Sequence, residues 1–138
     1  MSGPCASELQ QALSAGVGKA EELGSAVCIS ICDAGGNPAA LIRMPGTFLA
    51  STGIAMDKAY TAASFGLSTR DFSAMLEGEE RGVRDGLLRT PRLCEVPGGF
   101  PIRRDGALIG GLGVSGGSAA QDEEIATVCL EILGAAGE

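Results

Sequence analysis

The stretch "GGFPIRRDGALIGGLGVSGG", Gly98 to Gly117, admits two readings with opposite consequences for the fold. Gly111-x-Gly113-x-x-Gly116 has the spacing of a dinucleotide-binding fingerprint, which belongs to a parallel βαβ unit. Asp105-Gly106, set between two apolar runs, is instead a hairpin signal and makes the strands antiparallel. The residues beyond Gly116 decide between them. A fingerprint needs a second parallel strand ending in an acidic residue about 20 positions on. Here 22 residues remain after Gly116, and they hold one helical pattern. That helix is expected from about Ala119 to Leu133, with Ile125, Val128, Cys129 and Ile132 on its buried face. Ser118-x-x-Gln121 is a capping box that satisfies the free N–H groups at its start. Asp122, Glu123 and Glu124 favour the helix dipole there but repel a pyrophosphate. The hairpin reading wins, and no nucleotide cofactor is expected. Gly110, Gly111 and Gly113 then serve either close packing of a helix on a bare strand or the floor of a pocket.

Working outward, Leu9, Leu13, Val17, Ala20 and Leu23 recur at helical spacing, and Gly24 ends that helix. "SAVCISIC" reads as a strand with apolar residues on both faces. "DAGGNP", Asp33 to Pro38, supplies a turn, and "AALIRM" returns as the partner strand. "STGIAMDKAYTAASF", Ser51 to Phe65, is an alanine-rich helix. Thr69 is placed to cap a short helix with Phe72, Met75 and Leu76 as its apolar residues, and "GEERGVRDGLL" reads as a glycine-interrupted, weakly helical connection. The order predicts one α+β domain over residues 1–138, an antiparallel sheet of about five strands flanked by helices.

Composition narrows the function. With 45% apolar and 20% charged residues the chain is globular. A net charge of −7 argues against nucleic acid, and no apolar run reaches membrane-spanning length. The N-terminal stretch "MSGPCASELQQAL" has neither a basic segment nor an apolar signal core, so a cytoplasmic location is expected. The five cysteines form no C-x-x-C pair; Cys28 and Cys32, on one strand roughly 13 Å apart, are too distant for a disulfide. The cysteines read as small buried hydrophobes and no metal site is expected. Histidine is absent, which removes the usual general base, zinc ligand and commonest haem ligand together.

Candidate chemistry gathers on the central helix, where Ile54, Lys58, Thr61 and Phe65 share one stripe. An ammonium in an apolar stripe must either reach water or meet an acid. Lys58 therefore snorkels, fixes backbone carbonyls at a subunit contact, binds a ligand carboxylate, or acts in acid/base chemistry. Tyr60, off the stripe, suits an interface or a ligand contact. Arg43 can clamp a carboxylate bidentately or form an ordinary salt bridge. Asp122 either compensates the helix dipole or joins Lys58 in catalysis. Gly98 and Gly99 offer bare backbone to a pocket, or simply mark a strand entry.

Three stretches resemble the GlcG/HbpS-like family, the "haem-degrading" domain also found at the C-terminus of PduO-type adenosyltransferases. "DAGGNPAALIRM" is similar to its D-x-x-G…R-M hairpin, and "IAMDKAYTAASFGLST" to its I-x-x-x-K-A-x-T-A-x-x-F-x-x-S-T helix. "PGGFPIRRDGALIGGLGVSGGSAAQDEEIA" resembles its G-G-x-P-I…G-V-S-G…Q-D-x-x-I-A ending. The resemblance implies a profilin-like or roadblock-like sandwich, a homo-oligomer (dimer or higher), and haem binding, degradation or iron release in some members. Lys58 and Arg43 would then hold haem propionates. Two departures matter: members that ligate iron through histidine have no counterpart here, and Pro45 stands where an acidic residue often follows R-M. Tyr60, Met44, Met56 or a cysteine would have to ligate iron instead. Two other readings stand beside haem: a haem-independent lyase- or isomerase-type enzyme using Lys58 and Asp122, and an oligomeric accessory module.

Overall fold

The computed structural model describes residues 3–134. The elements run α1 (Ala6–Leu23), β1 (Cys28–Asp33), β2 (Pro38–Arg43), α2 (Ser51–Phe65), α3 (Thr69–Glu77), α4 (Arg81–Leu88), β3 (Gly99–Arg104), β4 (Ala107–Ser115) and α5 (Ala119–Ile132). The sheet order is β2-β1-β4-β3, with every neighbouring pair antiparallel. The α+β sandwich is as expected, but the sheet has four strands among the described residues rather than about five. Each hairpin supplies two strands, and the residues between α4 and β3 run as turns, so no segment is left to form another.

Asp105 and Gly106 both have positive φ, 52° and 79°, as a two-residue hairpin turn with the right twist requires. The two central strands, β1 and β4, have unlike faces. Ile29, Ile31, Leu112 and Val114 join Ala12, Ala20, Ile125 and Cys129 in the main core beneath α1 and α5. Alternation turns Cys28, Ser30, Cys32, Gly111 and Gly113 toward α2, which answers with Ala55, Ala59 and Ala63. Small residues on both sides let the helix lie directly on the strands. The bare β4 is thus a helix-packing surface.

Local chemistry explains three further departures from expectation. Ser68, not Thr69, caps α3, its hydroxyl accepting from Asp71 N at 3.1 Å. Thr69 is already helical and accepts from Gly99 N at 2.9 Å. Residues 81–88 form a regular helix rather than a weak connection, although none of its residues is buried. On α5, Ile125 and Cys129 are buried as expected, whereas Ile132 is exposed; the inward stripe continues through Ala126 to Leu133 because α5 rests on both α1 and β4. The capping box is present, with Ser118 Oγ accepting from Gln121 N at 3.2 Å and Gln121 Oε1 from Ser118 N at 3.0 Å. Cys28 and Cys32 share β1, and all five cysteines are free. No helix among the described residues is long and apolar enough to cross a membrane.

Candidate functional site

The stripe on α2 divides by depth. Lys58 and Thr61 are buried, while Ile54 and Phe65 lie at exposed positions nearer the helix ends. Lys58 is 1% exposed and extends past Gly113 to the junction between β4 and α5. Its Nζ donates to Val114 O at 2.7 Å and lies 3.4 Å from Asp122 Oδ2. Asp122, itself 3% exposed, accepts from Gly117 N through Oδ1 at 2.9 Å. Burial pushes the Asp122 carboxyl above its ordinary value; the Lys58 charge and the Gly117 N–H pull the other way.

Gly98 and Gly99 complete this centre. Gly98 has φ +123°, and a Cβ there would stand 2.9 Å from Lys58 Nζ and 2.7 Å from Val114 O. Gly98 O accepts from Val114 N at 3.0 Å, and a Cβ on Gly99 would meet Lys58 O at 2.7 Å. The structure therefore brings Lys58, Asp122, Gly98 and Gly99 together in an enclosed knot joining α2, the end of β4, α5 and the entry to β3.

Thr61 makes a separate connection. Its hydroxyl donates to Arg92 O at 3.0 Å and accepts from Cys94 N at 2.9 Å, fastening the loop before β3 to α2. Arg92 has φ 70°, uncommon without glycine, and its guanidinium stacks 3.9 Å over the Tyr60 ring and lies 3.6 Å from Asp57. The Tyr60 ring also meets Gly36, where a Cβ would come within 2.8 Å. Phe65 packs on Phe72, with centroids 4.8 Å apart. Thr61→Val should leave Arg92 O and Cys94 N unpartnered and cost about 1–3 kcal/mol in a urea unfolding curve.

Arg43 stands apart from Lys58. It pairs across β1's Cys28, whose opposite neighbour is Ser115, so two strand spacings of roughly 5 Å each separate it from the end of β4. It is exposed, its Nη1 approaches Thr47 O at 3.5 Å, and it has no carboxylate partner among the described residues. No group of three or more His, Cys, Asp or Glu residues suited to a metal occurs among the described residues. Met44, Cys28, Cys32 and Cys129 are interior, and burial pushes the Cys129 thiol up to about 12. Sequence reasoning passes over Arg92 and Thr47. Nothing in "RTPRLC" signals an arginine in the left-handed region, and Thr47 matters only because its buried Oγ1 lacks a hydrogen-bond partner.

The model of the family "Haem degrading protein HbpS-like" matches residues 6–131. The chain belongs to the HbpS-like family. It is 37% identical over 132 residues to the corrinoid adenosyltransferase PduO of Citrobacter freundii, covering 91% of this chain but 38% of PduO. This HbpS-like chain thus spans less than half the length of that curated relative. Among solved structures, the PduOC:heme complex superposes with a TM-score of 0.85 at 35% identity, covering 93% of each chain. A double mutant of HbpS from Streptomyces reticuli superposes with a TM-score of 0.87 at 28% identity, covering 97% of this chain and 89% of that one. The HbpS-like α+β architecture is common to all three chains.

Proposed function

We propose that this HbpS-like chain binds an anionic tetrapyrrole, haem foremost. The observation that carries the reading is its likeness to PduOC, solved as a haem complex at 35% identity across 93% of both chains. A carboxylated porphyrin needs apolar surface together with cationic or hydroxyl donors. Both occur on this chain: Phe48 and Leu49 are 72% and 84% exposed, beside Arg43 and the orphaned hydroxyl of Thr47. Bound haem supplies a redox-active iron; the chain's residues hold and orient it. With no histidine, and with Met44 and three cysteines in the interior, the axial ligand among the described residues falls to Tyr60, Met56, Met75, Cys94 or Cys5.

In this reading Lys58 and Asp122 are positioning residues. A haem-independent proton-transfer enzyme built on them would need a substrate to reach an ammonium that is 1% exposed and already bonded inside the fold. Assembly into a homo-oligomer belongs to the same proposal, since nine large apolar side chains are exposed among the described residues.

The test is a haemin titration of the purified chain in oxidising and reducing buffer. A saturable, stoichiometric Soret shift is expected. A flat or non-saturating titration overturns the proposal. Tyr60→Phe, Met56→Leu, Met75→Leu, Cys94→Ser and Cys5→Ser then identify the axial ligand by the change in the haem spectrum.

A further inference from the structure

The corner of the sheet where β2 runs into α2 holds four features that the fold leaves unexplained. The first is Arg43, exposed and without a carboxylate partner among the described residues, with its guanidinium near Thr47 O. Arg43 faces Cys28 across the strand pair and reaches Thr47 O, and the next carbonyl, Phe48 O, accepts from Ser51 N at 3.0 Å, so Arg43 sits near the first turn of α2. The second is Thr47, 7% exposed, whose Oγ1 has no partner. A buried hydroxyl without a partner is uncommon and expensive.

The third is electrostatic. Helices α1, α3 and α5 each carry an acid in their first turn, Glu8, Asp71 and Asp122, whereas α2, like the short α4, has neither an acid there nor a side-chain cap. The positive end of its dipole therefore adds to the Arg43 charge instead of being offset. The fourth is the surrounding surface. Leu41 shares a face of β2 with Arg43, and Phe48, Leu49 and Ile54 flank the turn; all four are exposed.

We infer that this corner seats the carboxylate of an amphipathic ligand, with Arg43 as the charged anchor, Thr47 as a second donor, and the ligand's apolar body lying over Phe48 and Leu49. Thr47 Oγ1 is closed off from solvent, so it meets an incoming oxygen only if the turn carrying it, whose Gly46 and Phe48 are exposed, shifts on binding. The apolar surface selects against small inorganic anions, and the Arg43 charge against neutral lipophiles. The inference rests on the tetrapyrrole reading for the natural ligand, but the seat itself requires only a carboxylate on a flat apolar body.

Three probes separate the two claims: haemin, pyrenebutyrate, and its neutral counterpart pyrenebutanol. Each is titrated into the unaltered chain, Arg43→Gln and Thr47→Val, with thermal unfolding as the folding control; Arg43 is exposed, so its replacement should leave the fold intact. Arg43→Gln is expected to weaken haemin and pyrenebutyrate about tenfold to a hundredfold, the range for one charge-assisted hydrogen bond, and to leave pyrenebutanol unchanged. Thr47→Val is expected to weaken the two acids about threefold to tenfold. Haemin binding untouched by both substitutions overturns the seat and leaves the tetrapyrrole reading standing. Pyrenebutanol binding as tightly as pyrenebutyrate also overturns the seat. Pyrenebutyrate held in an Arg43-dependent way by a chain that ignores haemin keeps the seat and overturns the tetrapyrrole reading. Neither acid binding overturns both.

Discussion

Lys58→Met is expected to lower the free energy of unfolding by about 3–5 kcal/mol at neutral pH, because it leaves a buried carboxylate without its counter-charge. Asp122 is 3% exposed, and its remaining protein partners are backbone N–H groups at the start of α5. Adding Asp122→Asn to Lys58→Met removes the orphaned charge while retaining an acceptor for Gly117 N, so the double variant should recover more than half of the loss. The pH dependence has a definite sign. Burial already raises the Asp122 carboxyl above its ordinary value, so the folded state holds that proton more tightly than the unfolded chain. The resulting penalty on the ionised form is absent below the ordinary carboxylate range and complete above the raised value. Without Lys58 the opposing attraction is gone and the rise is larger. The variant's deficit relative to the unaltered chain should therefore shrink as pH falls toward about 4. Urea unfolding at several pH values reads this directly. A deficit under about 1 kcal/mol with lost haemin binding would instead place Lys58 on the ligand.

The second large effect is expected at Gly113. A Cβ there would stand 2.8 Å from Ala59 N and closer still to Ala55 O. Both obstacles are backbone atoms of α2, which cannot move aside as a flexible side chain can. Gly113→Ala must push the helix off the sheet, and a cost of about 3 kcal/mol, near the top of the usual range for overpacking, is expected. Thermal unfolding should show a drop of roughly 10 °C for a chain of this size. Gly113→Val should yield little folded protein. A melting temperature within a degree or two of the parent would mean that α2 does not contact β4 as closely as described.

The contrast between these sites shows how far sequence reading reaches. Asp105-Gly106 states its own conformation, because a turn needing two positive φ angles has few ways to be written. Ser118-x-x-Gln121 is equally local, its reciprocal bonds spanning three residues. The family motifs are also readable, and with them the α+β class. Depth is not. Helical spacing puts Ile54, Lys58, Thr61 and Phe65 on one stripe, yet the middle pair is buried and the outer pair exposed. A helical pattern specifies direction around an axis, not how far each end extends beyond the sheet it covers. The cap of α3 is misread for a related reason: Ser68 and Thr69 are both plausible caps until Gly99, 30 residues away, claims the Thr69 hydroxyl.

Residue pattern alone determined the antiparallel hairpins and the capped α5, since each depends on contacts between residues close along the chain; that the bare β4 packs under α2 rather than flooring a pocket is a contact between segments far apart in sequence. Tertiary structure decided what the charged residues face. Lys58 and Asp122 are 64 residues apart and meet only because β4 delivers the start of α5 to the side of α2. Arg43 lies two strands away with no acid to meet among the described residues, and Thr47 Oγ1 is left unpaired beside it. Whether an ion is locked inside or offered to a ligand depends on distance and desolvation, and both are properties of the folded chain rather than of any stretch within it.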